Sequence, residues 1–336
     1  MASPSGGSWQ HAVLTDEGNK MFRKKEIPVY LFFGFLEGGK TSFIIETMKE
    51  GQFRDGNRTV YIMCEEGIEE VDEDLLLENK FKVVTIDSED EVTMERFMEI
   101  DKKMKPDRVI IEYNGMWNQD TVIEALPENW LVGEGIAAVD ASTYQDHLNN
   151  MKMLMLNQFT YADLILFNRC TEEMDLAGFK RTARAKNRRA QVIFEMTDGT
   201  INNNIKEELP YNIDAPVIEI EDDDFGIWYI DSFDHPENYI GKRVKFKGQV
   251  YFPKKRNKDI FVPGRFAMTC CAADIQFVGF QCRYEKASEL KEKEFCMVTA
   301  TVRSATMPEV DGPVPFLIAD SVESAEKPQE EVVMFN

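Results

Sequence analysis

The chain has 336 residues, 43% of them hydrophobic and 11% aromatic, which is enough for two cores and too apolar for a disordered protein. Its formal net charge of −21 repels phosphate backbones and anionic membrane surfaces, so nucleic acid is not an expected partner. No apolar run approaches a membrane span, Met1 to Gly18 lack the pattern of a secretory signal, and six cysteines without framework spacing suit a reducing compartment, so the expectation is a cytoplasmic protein with no direct membrane insertion.

Residues 1–25 are small and polar and read as a flexible lead-in. A strand–helix alternation follows over residues 26–222. Ile27–Phe33 is a short apolar run ending at Gly34, and a helix is expected over 41–50. Further apolar runs lie at 59–63, 82–86, 108–111, 135–139, 163–167 and 191–194, most of them separated by helical stretches. Continuous apolar strands between helices predict an α/β domain, a parallel sheet with helices on both faces. An acidic cluster at 219–224 interrupts this pattern. Residues 223–323 then change period: Arg243–Val250 alternates apolar with polar, and Phe277–Tyr284 and Phe295–Val302 are strand-like. These predict a small all-β domain of the OB-like barrel type. Residues 324–336 read as a polar tail.

Gly34-Phe35-Leu36-Glu37-Gly38-Gly39-Lys40-Thr41 satisfies G-x-x-x-x-G-K-[ST] between a buried strand and a helix, the context such a loop requires. Gly34, Gly38 and Gly39 let the backbone wrap closely, so that N–H groups point at phosphate oxygens, and the helix start at Thr41 and Ser42 adds partial positive charge. Lys40 is placed to reach the terminal phosphates of a bound nucleotide, and Thr41 to offer its hydroxyl to magnesium. The first domain therefore reads as a P-loop NTPase. The second half of the magnesium site is an acid at the end of a neighbouring strand. Glu112, directly after Arg108–Ile111, supplies it, and Gly115 allows backbone approach to the γ-phosphate; an ordinary strand-capping glutamate is the alternative for Glu112.

Together these residues resemble the CobW-type family of P-loop GTPases, which includes metallochaperones. The family's E-x-x-G signature matches Glu112 and Gly115, and its N-E-x-G-x-x-x-x-D segment is matched at Glu65, Gly67 and Asp72. Val139-Asp140-Ala141 is similar to its V-D-A strand end. The resemblance spans residues 27–200. It implies GTP and magnesium as ligands, slow hydrolysis, and Lys40, Glu65, Asp72 and Glu112 as catalytic candidates, with Glu65 and Asp72 on a switch-like loop. The family's guanine-reading N-K-x-D becomes Asn168-Arg169-Cys170-Thr171. Asn168 is kept and Arg169 stacks much as lysine does, but Thr171 replaces the aspartate that accepts guanine's N1 and N2 hydrogens. A missing acceptor costs about 1–3 kcal/mol per group. Guanine preference is weakened unless Glu172 or Asp175 substitutes, and ATP stays open as a ligand. The family's C-x-C-C metal cluster has no counterpart in Leu75–Val84, and Cys64 alone reads as packing.

Tyr239–Tyr251 and Phe261–Asp274 are similar to the small β domain of bacterial YcgQ-like proteins, partners of predicted permeases associated with metal homeostasis. That resemblance implies a membrane permease or a metal-receiving client as partner. Cys270, Cys271 and Cys282, with Asp274, offer three sulfurs and a carboxylate, a donor set suited to zinc. Neighbours on a strand point to opposite faces, so core packing is the alternative. The basic run 180–189 reads as a solvated helix face or a dock for an acidic partner. Two main functions stand at this point: a nucleotide-hydrolysing switch in zinc-type metal homeostasis, and a non-hydrolysing nucleotide-binding partner of a permease. A zinc-binding scaffold is the third.

Overall fold

The computed structural model describes residues 25–49, 53, 55–68, 71–202, 205, 209–253, 258–269, 274–307 and 310–335; Cys270 and Cys271 lie outside them. The first sheet and its helices run β1 (Ile27–Phe33), α1 (Lys40–Lys49), β2 (Thr59–Met63), α2 (Glu73–Glu78), β3 (Phe81–Thr85), α3 (Met94–Met104), β4 (Arg108–Glu112), α4 (Gln119–Ala125), β5 (Trp130–Asp140), α5 (Ala141–Asn157), β6 (Leu164–Cys170), α6 (Leu176–Lys186), β7 (Gln191–Met196) and β8 (Ile201–Asn202). The strand order is β3-β2-β4-β1-β5-β6-β7-β8. The first seven strands are parallel, and β8 returns antiparallel. Strands rich in Val, Ile, Tyr and Phe fit a pleated surface that is buried on both sides. Val29, Leu31 and Phe33 enter one core, and Phe32 enters a second with Ile44 and Met48 of α1, because successive side chains alternate faces.

The winding decides where a ligand fits. β2, β3 and β4 lie on one side of β1, and β5, β6 and β7 on the other. The carboxyl ends of the strands around β1 therefore border the crevice where open parallel sheets bind ligands. Helix starts near that edge are capped by side chains that accept from orphan N–H groups: Asp72 for α2, Asp140 for α5 and Asp175 for α6.

The second unit comprises β9 (Ile218–Glu219), α7 (Phe225–Asp234), β10 (Arg243–Tyr251), β11 (Ile260–Met268), β12 (Gln276–Gly279), β13 (Cys282–Arg283), β14 (Phe295–Met307), β15 (Val310–Ser324) and β16 (Val332–Met334). β10 pairs with β11, β11 with β13, β13 with β15, β15 with β14 and β14 with β10, which closes a barrel. Trp228 of α7 plugs one end, packing its ring 4.6 Å from both Phe246 and Phe280. The expected strand 277–284 is interrupted at Phe280, whose ring turns into this core. Residues 332–334, read from sequence as polar tail, add a parallel strand beside β11 and bury Val333 and Phe335. Their apolar run is too short to stand out from the acidic residues before it. Ile218–Glu219 already pairs with β10, so the chain enters the second sheet before the expected boundary at 222.

The basic run 180–189 meets the protein's own barrel domain. Arg184 forms a two-point pair with Asp234, and the Arg188 guanidinium lies 4.0 Å from the Phe233 ring centroid. The run is thus an internal seam between α6 and α7, where the sequence offered a solvated face or an external acidic partner. Charge pairs of this kind, once half-buried, lose most when one member is removed. Arg184→Ala and Asp234→Ala are each expected to lower stability by about 1–3 kcal/mol, and the double variant by less than their sum. Urea unfolding of the four chains checks this.

Candidate nucleotide-binding site

The glycines of the loop between β1 and α1 are required by contact as well as by backbone angle. Gly34 has φ of +130°, and a Cβ there would sit 2.2 Å from the Ala138 carbonyl oxygen. Gly39 has φ of +99°, and a Cβ there would sit 2.2 Å from Nδ2 of Asn168. A Cβ at Gly115 would meet the Gly34 carbonyl oxygen at 2.4 Å, so Gly115 serves to let two loops touch. Gln158 ties the same loops together. Its Oε1 accepts from Gly34 N at 2.9 Å, and its Nε2 donates to Gly115 O at 2.9 Å. Nothing in the sequence marks Gln158, because its partners are backbone groups from distant segments.

Lys40 is 2% exposed. Its ammonium donates to the carbonyls of Gly34 at 2.8 Å and Phe35 at 2.9 Å, and forms an ion pair with Glu65. All three protons of a buried ammonium are thereby matched. The Thr41 hydroxyl donates to Glu112 Oε1 at 2.7 Å, and the Tyr61 hydroxyl donates to Glu112 Oε2. Burial holds the Glu112 carboxyl above its usual range, and the Tyr61 and Thr41 hydrogen bonds offset only part of that. Burial and the charge of Glu112 hold the Tyr61 phenol far above its usual range. Leu36, Lys40, Thr41, Glu65, Gly67 and Glu112 are among the residues lining a cleft of about 260 Å³ at this point.

On the other side of the loop, Asn168 Nδ2 donates to Gly38 O at 2.8 Å, which fastens β6 to the phosphate loop. Arg169, with φ of +54°, donates to Glu37 O at 3.1 Å and pairs with Asp140. Burial raises the Asp140 carboxyl, but hydrogen bonds from Ser142 and Arg169 outweigh it and leave it below its usual range. A second cleft of about 240 Å³ opens between Ser42, Asn168, Arg169, Glu195 and Thr197.

The structure therefore gathers Gly34, Gly38, Gly39, Lys40, Thr41, Ser42, Glu65, Glu112, Asn168 and Arg169 around one loop. Asp72 does not line either cleft; its carboxylate accepts from Asp74 N at 2.7 Å and caps α2. Asp175, one candidate to replace the missing guanine acceptor, accepts from Gly178 N at 2.8 Å. Cys282, a candidate zinc ligand, is fully buried in the barrel core, and burial holds its thiol far above its usual range. Among the described residues no group of three or more His, Cys, Asp or Glu is placed to hold a metal ion. Burial pushes the Cys64 thiol up to about 12, in keeping with packing.

This geometry fits a magnesium nucleotide. The glycine contacts leave the loop backbone bare, and a hydroxyl with a carboxylate is the hard-oxygen pair that suits magnesium. Residues 28–195 match the CobW/HypB/UreG nucleotide-binding domain. The chain belongs to the CobW/HypB/UreG family. Residues 195–334 match a DUF1980 C-terminal domain. A Zn(II)-bound YjiA GTPase structure from E. coli and a Zn(II)-bound triple mutant of YjiA are each 25% identical to this CobW/HypB/UreG chain, with TM-scores of 0.41, covering 54% of it. The chain spans 60% of the length of those YjiA chains. The hydrogenase maturation factor HypB from Archaeoglobus fulgidus is 18% identical, with a TM-score of 0.37, over 52% of this chain and 82% of its own. Among curated proteins, none matches the chain in sequence. Among the described residues no helix is long and apolar enough to cross a membrane.

Tyr61 is the second residue the sequence did not flag, since a tyrosine in an apolar strand looks like core. Tyr61→Phe keeps the ring against Phe81 and removes one donor from Glu112. The loss is expected to cost about 1.5–3 kcal/mol of stability at neutral pH. The hydroxyl favours the charged carboxylate, so the deficit shrinks as pH falls and Glu112 is protonated. Thermal unfolding of both chains across pH measures it.

Proposed function

We propose that this CobW/HypB/UreG chain binds GTP with magnesium and hydrolyses it slowly, as a switch serving zinc-type metal homeostasis. One observation carries the nucleotide part of this reading: the buried Lys40 ammonium held by the loop carbonyls of Gly34 and Phe35, with Thr41 hydrogen-bonded to Glu112. Lys40 brings a fixed charge to the terminal phosphates, and the loop N–H groups and the start of α1 bind the others. Thr41 and Glu112 are the residues that would hold the magnesium. When bound, magnesium neutralises charge that develops on the phosphates. Glu65 lines the same cleft as Lys40 and Glu112. It is engaged with Lys40, and an arriving phosphate group competes for the same ammonium. Phosphate entry therefore frees Glu65 and the segment after β2, which gives the switch its mechanical part. The metal-handling role rests on the resemblance to CobW-type metallochaperones, and a metal-receiving client is the partner it implies.

The second reading is a non-hydrolysing nucleotide-binding module that partners a membrane permease. The altered segment Asn168–Thr171, with Thr171 in place of the expected acid, favours it. Single-turnover hydrolysis of GTP separates the two. The first reading expects a rate on the order of 10⁻⁴–10⁻² s⁻¹, with Lys40→Ala at least about 100-fold slower. Binding without any turnover above the Lys40→Ala background supports the second reading instead.

A further inference from the structure

The base-reading strand end of this family member lacks its acceptor, and the neighbouring acids are already engaged. Thr171 stands where the acidic residue belongs, and its hydroxyl is taken by Glu173. Asp175 caps α6. Asp140 accepts from Ser142 N at 2.9 Å and pairs with Arg169. Asp198 accepts from Thr200 N at 2.9 Å and from the Thr200 hydroxyl at 2.6 Å. Glu172 is exposed.

Glu195 is different. It sits on β7, one residue before Met196, which lies in register with Cys170 at the end of β6. It faces the 240 Å³ cleft together with Asn168 and Arg169. It is half-buried, and its carboxylate has no hydrogen bond or salt bridge among the described residues. Burial, then the charge of Glu46 across the cleft, pushes its carboxyl up, and Arg169 opposes them. A half-buried carboxylate without a partner in a cleft is a group that a ligand donor would satisfy. Asn168 gives an independent sign in the same cleft. It is 9% exposed, its Nδ2 is used by Gly38, and its buried Oδ1 has no hydrogen-bond partner. The cleft is thus lined by an unpartnered carboxylate, by a buried amide with an unsatisfied acceptor behind its wall, and by a guanidinium that can stack on a ring.

We infer that Glu195 is the specificity-determining residue of the nucleotide site, accepting from the ring N–H and exocyclic amine of guanine in place of the absent acid at Thr171. The inference rests on the nucleotide-binding reading above. Guanine offers adjacent donors on that edge, which a carboxylate accepts together. Adenine presents an unprotonated ring nitrogen there, and its lone pair opposes the carboxylate.

The test is a magnesium-containing titration with fluorescent GTP, ITP and ATP analogues of the full chain, Glu195→Ala, Glu195→Gln, the pair Glu195→Ala with Thr171→Asp, and Lys40→Ala. Thermal unfolding confirms that each variant is folded. The expected result is GTP preferred over ATP, with ITP between them because it lacks the exocyclic amine. Glu195→Ala and Glu195→Gln weaken GTP by about 10- to 100-fold and leave ATP unchanged. Thr171→Asp restores part of the GTP affinity to Glu195→Ala. An unchanged GTP-to-ATP ratio in folded Glu195→Ala, with Lys40→Ala still abolishing binding, overturns the role of Glu195 and leaves nucleotide binding standing. Absence of binding by the unaltered chain to every analogue overturns both.

Discussion

A lysine ammonium buried to 2% exposure is the constraint around which the rest of the site is arranged. Taking such a charge out of water is unfavourable by several kcal/mol unless hydrogen bonds and an opposite charge replace the water. Here the loop's own carbonyls and Glu65 replace it. Those carbonyls converge because Gly34 adopts a backbone angle and a contact distance that no side chain tolerates. The arrangement is held from outside by Gln158, which bridges Gly34 to Gly115, and by Asn168, which bridges to Gly38. The loop is therefore pre-shaped by the sheet edge and needs little ordering when phosphates enter. That lowers the entropic cost of binding.

The same logic joins the site to the barrel. The strand end carrying Asn168 and Arg169 leads through the Asp175 cap into α6, whose basic face is engaged by Asp234 and the aromatic rings of α7. Trp228 of α7 in turn fills the barrel core. A continuous chain of packed elements thus runs from the carboxyl end of β6 to the β domain. Such continuity is what a nucleotide-dependent change needs if it is to be felt outside the first domain.

Much of this was legible in the sequence. The parallel sheet showed because its central strands are apolar on both faces. The phosphate loop showed because its chemistry lies within eight contiguous residues, and Glu112 because it directly follows an apolar strand. The less visible features depend on contacts distant in sequence. Tyr61 and Gln158 act on groups 51 and 124 residues away, and each looks like ordinary packing where it stands. Asp72 carries two readings: it matches a family spacing, and an aspartate before a helix is also a good cap, the role its local hydrogen bonds show. In the barrel, Pro263 and Gly264 disguised β11, because proline and glycine normally argue against a strand interior. Cys282 had the right chemistry for zinc but faces the core, which residue type alone does not reveal.

The central claim is that nucleotide phosphates enter the Lys40 loop and displace Glu65. Hydrogen–deuterium exchange of the full chain, with and without a non-hydrolysable GTP analogue and magnesium, tests it most directly. The account expects protection of residues 34–42 and 168–171, together with faster exchange just after Met63, where Glu65 is released. Unchanged exchange over 34–42 at saturating nucleotide would contradict it.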